Sequence, residues 1–175
     1  MREMGRSAAL AEPRSLLLRI CRVSEFGQIN RIINAGAEAY RGVIPAEGWH
    51  EPYMSERELA SEIVAGVSFW GAEIAGTLVG VMGVQPSGDV DLIRHAYVLP
   101  EYQGYGIGGA LLGHLISLSR RRVLVGTWAD ATWAVRFYER HGFRKETDDE
   151  RRLTTLRKYW NVPERQIQTA VVLSL

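Results

Sequence analysis

Four glycines fall within six residues in the stretch Gly104-Tyr105-Gly106-Ile107-Gly108-Gly109. The segment before it predicts a strand that ends near Leu99, and the apolar segment after it predicts a helix that runs toward Arg122. A glycine-dense turn from a strand into a helix leaves several backbone N–H groups unpaired and free of covering side chains. Such a turn is suited to bind an anion, above all a phosphate group. The sequence therefore predicts a phosphate-bearing ligand at the start of this helix.

Two widespread phosphate-binding motifs fit this stretch poorly. The P-loop requires Lys-Ser or Lys-Thr after its second glycine, and neither follows here. The dinucleotide fingerprint Gly-x-Gly-x-x-Gly is met formally by Gly104, Gly106 and Gly109. It also needs an acidic residue roughly 20 residues later to hold the ribose, whereas no Asp or Glu occurs between Glu101 and Asp130. A nicotinamide-dependent reductase therefore stays only as an alternative.

The composition is that of a globular domain without a strongly charged partner. The chain has 175 residues, of which 46% are hydrophobic and 23% charged, and its net charge is +1. We expect a flexible leader over residues 1–15 and one domain over residues 16–175, with neither a nucleic acid nor a membrane as partner. The lone cysteine, Cys21, excludes an intramolecular disulfide. A lone cysteine fits a reducing compartment, and no apolar run approaches the ~18 residues of a transmembrane helix. Together these two features favour a cytoplasmic location.

The order of predicted elements favours an α/β fold built on one mixed sheet of six to seven strands. Three apolar strands over residues 67–99 are joined by short turns at residues 75–76 and 86–88, so they form an antiparallel meander. A strand over residues 123–127 lies parallel to the last strand of the meander, because a helix connects the two. Further strands over residues 16–23, 143–147 and 167–173 complete the sheet, and helices cover both faces.

Local signals mark the helix starts and one long loop. Ser24, Ser55 and Thr132 each precede a helical pattern and are predicted N-caps. Ser55 is followed three residues later by Glu58, which predicts a capping box. The irregular stretch over residues 41–53 is rich in aromatic residues. A loop of this kind either serves function or is pinned to the core by its rings.

Two separate stretches resemble motifs of one enzyme family. Gln103-Gly104-Tyr105-Gly106-Ile107-Gly108 resembles the acyl-CoA pyrophosphate signature Gln/Arg-x-x-Gly-x-Gly/Ala of the GNAT superfamily of N-acetyltransferases, and its lead-in Val98-Leu99-Pro100-Glu101-Tyr102 is similar to that family too. Ala134-Val135-Arg136-Phe137-Tyr138-Glu139-Arg140-His141-Gly142-Phe143 is similar to the second motif. The element order resembles the GNAT fold from about Leu16 onward. One departure is Ala131, where the family often has an asparagine, and we expect Trp133 to fill that space.

The resemblance implies that acetyl-CoA is the phosphate-bearing ligand. Its pyrophosphate would lie on the main-chain amides that begin at Gln103, and its pantetheine arm would pair with the strand end at residues 97–99. A gap between the two parallel strands would admit this arm. The implied cofactor-binding residues are Tyr97, Val98, Leu99, Gln103, Gly104, Tyr105, Gly106, Ile107, Gly108, Gly109, Trp133 and Phe137.

Acetyl transfer also needs an acid and an oxyanion donor. The resemblance implies that Tyr138 protonates the departing thiolate and that the Val98 N–H stabilises the oxyanion. Packing beside Phe137 in the core is the alternative role of Tyr138.

The sequence does not identify the general base that accepts the proton of the attacking amine. His95 is a candidate, and it shares one face of an alternating strand with Asp91. A lone histidine on a covered strand also fits a structural role. Glu38, His50 or water are the other candidates. No cluster of residues has metal-ligand spacing, so no metal is predicted.

These observations predict an enzyme that transfers an acetyl group from acetyl-CoA to a primary amine by direct attack on the thioester. The acceptor is a small-molecule or peptide amine, and the loop over residues 41–53 and the final strand shape its pocket. A non-catalytic acyl-CoA-binding sensor is the alternative from a different class. A homodimer is common in the resembled family.

Overall fold

The computed structural model describes residues 15–175. The predicted leader over residues 1–15 therefore lies outside the described residues, except for Ser15. Within the described range the helices are α1 Phe26–Ala37, α2 Glu56–Val64, α3 Ile107–Leu118, α4 Thr132–Arg140, α5 Asp149–Tyr159 and α6 Glu164–Thr169. The strands are β1 Leu16–Ile20, β2 Ser68–Ile74, β3 Thr77–Ser87, β4 Val90–Val98, β5 Arg122–Trp128, β6 Arg144–Lys145 and β7 Ala170–Ser174.

The strands form one seven-stranded sheet in the order β1-β2-β3-β4-β5-β7-β6. Strands β1 to β4 are an antiparallel meander, β4 and β5 run parallel, and β7 pairs antiparallel with both β5 and β6. This arrangement confirms the predicted fold class. A parallel neighbour needs a crossover, and α3 supplies the one between β4 and β5.

Helices cover both faces of the sheet, as predicted. On one face, α3 and α4 bury an apolar cluster that includes Leu111, Leu112 and Tyr138. On the other face, α1 and α2 cover β2 to β4, while α5 and α6 cover the side of β5 and β7. The burial of both faces explains why β3 is apolar along most of its length.

The local signals are confirmed in part. Ser55 and Glu58 form the predicted capping box, in which Ser55 Oγ accepts from the Glu58 N–H at 3.2 Å. Thr132 is instead the first residue of α4, where no side chain caps the helix. The prediction for Ser24 is wrong, because Glu25 is the residue that precedes α1, and its side chain does not cap the helix. The buried Glu25 carboxylate instead accepts from the Arg22 N–H at 2.6 Å.

The predicted final strand over residues 167–173 is wrong in its first part. Residues Glu164–Thr169 form α6, and β7 begins at Ala170. The helix turns Ile167 into the apolar cluster under α5, so packing decides a short segment whose β-branched composition favoured a strand.

The sheet splits between its two parallel strands. Pairing of β4 with β5 ends at Ile93 and Val125. Beyond that point β4 continues on β3, whereas β5 continues on β7. A wedge-shaped opening therefore runs through the middle of the sheet.

A β-bulge lies at the start of this opening. The register of β3 against β4 shifts between Val81 and Gly83, opposite His95, whose φ of 49° is in the left-handed region. The bulge reverses the alternation of β4, so that His95 contacts α2 while Asp91 accepts from Ser119 on the opposite face. The expectation that Asp91 and His95 share a face is wrong for this reason.

Candidate active site

A cavity of about 680 Å³ occupies the opening between β4 and β5. Its walls come from both faces of the sheet: Gly108 and Phe137 lie on the α3 and α4 side, and Tyr53 and Trp160 on the other. A pocket that passes through a sheet can receive two reactants from opposite faces. The splay of the sheet is therefore what creates the site.

The start of α3 forms a bare main-chain cradle at one end of the cavity. Gly104 and Gly106 have φ values of 83° and 78°, and a Cβ at either would meet nothing within 4 Å. The first helical hydrogen bond joins the Ala110 N–H to Gly106 O at 2.9 Å, so the N–H groups of residues 107–109 have no acceptor within the helix. Such a cradle fits a pyrophosphate.

The side chains of this turn have different surroundings. Ile107 is buried in the core, whereas Tyr105 is 79% exposed. Gly108 is open enough that a Cβ would only touch the Phe137 ring at 3.5 Å. A Cβ at Gly109 would come within 2.7 Å of His141 Nε2, so the glycine at this position lets α3 approach α4.

The backbone of Val98 faces the opening. Leu99 donates its N–H to Val79 O at 2.9 Å, and strand alternation turns both main-chain groups of the preceding residue away from β3. Val98 O accepts from Gln103 Nε2 at 3.0 Å, which leaves the Val98 N–H toward the opening. The resemblance implied that the Leu99 main chain contacts the pantetheine arm. The Leu99 N–H is not available for this contact, because it already donates to Val79 O of β3.

Tyr138 of α4 lies in the wall of the cavity. It is 5% exposed, and its ring packs edge-on against Phe137 and Phe143 with centroids 5.0 and 5.6 Å apart. Burial raises the pKa of its phenol above the ordinary value of 10. The side chain therefore stays protonated at neutral pH, and it lines the cavity.

The mouth on the opposite side is aromatic. Tyr40 stacks on Trp133 at 5.6 Å and lies 5.7 Å from the Tyr53 ring. Trp128 Nε1 donates to Tyr53 Oη at 3.2 Å, and Tyr97 meets Tyr40 edge-on at 6.2 Å. Burial raises the pKa of Tyr40 to about 12, so its phenol is neutral. The predicted aromatic loop thus lies at this mouth, and Trp133 lines the cavity beside it.

Among the candidate bases, His95 is the one that lines the cavity. Its Nε2 is 3.0 Å from Glu62 Oε2, and its ring stacks on Phe69 with centroids 6.0 Å apart. Burial lowers the pKa of the imidazole, and the charge of Arg94 acts in the same direction. His95 is therefore neutral near pH 7.

The other candidate bases, Glu38 and His50, face solvent. Glu38 is bound to the Arg41 guanidinium at 2.9 Å, and both side chains are about half exposed. His50 is likewise half exposed and lies 3.5 Å from Glu58. Asp91 accepts from Ser119 on the face opposite His95.

Two polar residues of the cavity region had not been singled out in the sequence. Arg94 lines the cavity and pairs with Glu62 at 2.7 Å. Glu62 comes from α2, far away in sequence, and it contacts both Arg94 and His95 of β4. Among residues 15–175, no group of three or more metal-binding side chains is present. No helix in that range is long and apolar enough to cross a membrane.

Comparison with solved structures identifies the class of fold. The PaiA N-acetyltransferase of Thermoplasma acidophilum, solved in complex with coenzyme A, superposes with a TM-score of 0.69 at 18% identity and covers 91% of this chain and 98% of its own. The ribosomal-protein-S18-alanine N-acetyltransferase of Escherichia coli superposes with a TM-score of 0.63 at 19% identity, covering 92% and 93%. The split sheet over a glycine-rich helix start is the GNAT fold.

Sequence comparison finds a related domain and related proteins. Residues 65–145 match the model of the acetyltransferase (GNAT) domain. The Xenopus tropicalis protein described as probable N-acetyltransferase camello is 32% identical over 121 residues, which are 57% of this chain and 55% of that protein. The chain thus spans about half the length of this relative. Over residues 65–145 the chain is similar to acetyltransferases of the GNAT family.

Proposed function

We propose that this protein transfers the acetyl group of acetyl-CoA to an amine by direct attack on the thioester. The observation that carries the proposal is the cavity through the split sheet. Its lining includes residues at the bare start of α3 and at the aromatic mouth, together with Val98 and Tyr138. Two reactants that enter from opposite faces would therefore meet beside an oxyanion donor and a proton donor.

The end of the cavity at the start of α3 fits an extended ligand that carries a phosphate ester. The amides at the start of α3 would bind the pyrophosphate, and Val98 would pair with the pantetheine arm as a missing strand would. The thioester of acetyl-CoA supplies the activated acetyl group. The neighbours solved with coenzyme A support this choice of ligand over a nicotinamide dinucleotide.

Three groups of this chain would assist the transfer. As the acceptor nitrogen bonds to the acetyl carbon, the Val98 N–H stabilises the oxyanion, a contribution of about 3 kcal/mol at comparable sites. When the carbon–sulfur bond breaks, Tyr138 donates its proton to the thiolate. The proton lost by the acceptor nitrogen goes to His95, which is neutral and lines the cavity.

The aromatic mouth supports a small or narrow acceptor. Tyr40, Tyr53 and Trp133 present ring faces, and no carboxylate of the described residues lies among them. An alkyl amine has a pKa near ~10.4 and must lose a proton before it attacks. A desolvating aromatic entrance favours that neutral form. A small-molecule amine or a peptide amine fits this description.

The test is a free-thiol release assay with acetyl-CoA against amino acids, polyamines, aminosugars and peptides. We expect release that depends on one class of amine, with the acetylated product found by mass spectrometry. Binding of acetyl-CoA with no turnover across the panel would favour the sensor. Thermal stabilisation by NADH and not by acetyl-CoA would overturn the proposal in favour of a reductase.

A further inference from the structure

We propose that Glu62 is a positioning residue that fixes the tautomer of His95, and that Arg94 keeps the Glu62 carboxylate in place and ionised. This inference rests on the proposed function, because it gives His95 the lone pair that an acceptor proton needs. It adds a carboxylate from α2 to the groups that β4 and α4 contribute to the proposed chemistry, which are Val98, His95 and Tyr138.

The geometry brings three charged or titratable groups to one point. The bulge in β4 turns the side chains of Arg94 and His95 to the same face, where a regular strand would separate them. Glu62 Oε2 lies 2.7 Å from Arg94 Nη2 and 3.0 Å from His95 Nε2. The three side chains are between 15% and 27% exposed, so water competes little for these contacts. One carboxylate oxygen thus serves both partners.

The tautomer follows from the chemistry of the pair. Burial opposes ionisation of Glu62, but the His95 hydrogen bond and the Arg94 charge outweigh it and lower its pKa. An ionised carboxylate is an acceptor only, so Nε2 of a neutral His95 must carry the hydrogen. The lone pair then resides on Nδ1. Among residues 15–175, the ring's hydrogen bond is the one made by Nε2.

Within the described residues 15–175, the surroundings of His95 add no other charge. His95 faces Glu62, which comes from α2, and Arg94, which precedes it in β4. From β2 it meets the apolar ring of Phe69. From β3, Gln85 is neutral and accepts from Arg94 Nη1 at 2.6 Å. The two charges act on His95 in opposite directions, since Glu62 raises its pKa and Arg94 lowers it.

This opposition gives kinetic predictions of opposite sign. Glu62→Gln removes the negative charge, so the acidic limb of the pH profile of kcat/KM should move to lower pH. Arg94→Gln removes the positive charge, so the same limb should move to higher pH. The plateau of Glu62→Gln should also fall by about tenfold to a hundredfold, as for other carboxylate partners of functional histidines. A merely structural pair would lower activity in both variants without opposite shifts.

Conservative and matched variants complete the kinetic test. Glu62→Asp keeps a carboxylate and should recover part of the plateau. Glu56→Gln removes an equivalent charge from the exposed side of α2 and should leave the profile unchanged. Melting curves of all variants separate loss of fold from loss of function. Shifts in the same direction, or no shift, would overturn the inference.

A measurement without turnover separates this inference from the proposed function. In ¹⁵N-labelled protein, the two ring nitrogens of a neutral histidine report which one carries the hydrogen, and His95→Gln identifies the signal. We expect the Nε2–H form in the parent protein and a loss of that preference in Glu62→Ala, whose side chain accepts no hydrogen bond, whereas Glu62→Gln keeps an accepting oxygen. A histidine that keeps its tautomer without Glu62 would refute the positioning role, whether or not an acceptor is found. Absence of acetyl transfer with the expected tautomer would count against the proposed function alone.

Discussion

The ring of Tyr97 lies against the α-carbon of Gly36, so that a Cβ at position 36 would come within 2.9 Å of Tyr97 Cδ1 and 3.0 Å of its Cβ. This contact sets the distance between α1 and β4 beside the cavity. Gly36→Ala gains about 1 kcal/mol of helix propensity, yet overpacking of a core costs about 1–3 kcal/mol. We expect a net loss in the free energy of unfolding, measured by urea denaturation.

Gly27 in the same helix provides the matched control. A Cβ there would meet nothing within 4 Å. Gly27→Ala should therefore raise the free energy of unfolding by up to about 1 kcal/mol. If both variants gain stability to the same degree, the Tyr97 contact does not limit the approach of α1.

The parts of the fold that could be predicted from the sequence are those that depend on interactions between residues close together in the chain. The Ser55–Glu58 capping box and the turn at Ala75 and Gly76, both with positive φ, depend on neighbours in the chain. The glycine-rich start of α3 is equally local. The order of strands followed from these signals, because short turns and one crossover helix leave few topologies open.

The parts that were missed depend on distant contacts. The bulge at His95 arises from the pairing of β4 with β3, and nothing in the alternating pattern of β4 marks it. The side chains of Asp91 and His95 were therefore assigned to one face. The role of Glu62 was invisible for the same reason, since α2 and the bulge meet only in the folded chain. The helix at Glu164–Thr169 depends on the packing of Ile167 into the apolar cluster under α5, which the local sequence does not show.

Replacement of Tyr138 by phenylalanine tests the proton donor. Tyr138→Phe keeps the packing against Phe137 and Phe143 but removes the hydroxyl that we propose protonates the thiolate. General acids contribute typically ~10²–10⁴ in rate, so kcat should fall by about a hundredfold while the affinity for coenzyme A is retained. Stopped-flow or steady-state thiol release and calorimetry give the two quantities.

Tyr159 allows the same chemical change outside the cavity. Its hydroxyl donates to Asp89 at 2.7 Å on the far side of α5. Tyr159→Phe should leave kcat within about twofold, since a general acid acts only within hydrogen-bond reach of the reacting atoms. Equal turnover of Tyr138→Phe and the parent protein would remove Tyr138 from the mechanism.

Substitution of Gly106 tests the main-chain cradle. Its φ of 78° is in the left-handed region, which costs an L-residue roughly 1–2 kcal/mol. Gly106→Ala should therefore distort the start of α3 and weaken binding of coenzyme A by about tenfold. Gly113→Ala, in the same helix with nothing within 4 Å of its Cβ, should keep the affinity. Unchanged binding in both variants, by calorimetry, would place the pyrophosphate elsewhere.

Glu25 predicts a specific acid sensitivity of the fold. The Arg19 guanidinium binds the buried Glu25 carboxylate at 2.6 Å. This hydrogen bond outweighs the effect of burial and lowers the pKa of Glu25 from its ordinary value of 4.5 to about 2. Because the folded-state pKa is the lower one, this stabilisation is complete above about pH 5 and is lost as the pH falls toward 2. At ~1.36 kcal/mol per unit it amounts to on the order of 3 kcal/mol.

Glu25→Gln removes the titrating group while a side-chain oxygen still accepts from Arg19. The variant should be less stable at pH 7 and should lose less stability than the parent protein between pH 5 and pH 2, as followed by urea denaturation at each pH. The exposed Glu56→Gln should leave that pH dependence unchanged. A parent and a Glu25→Gln variant with parallel curves would show that other carboxylates govern acid unfolding, and that the link from Arg19 in β1 to the first turn of α1 contributes nothing to it.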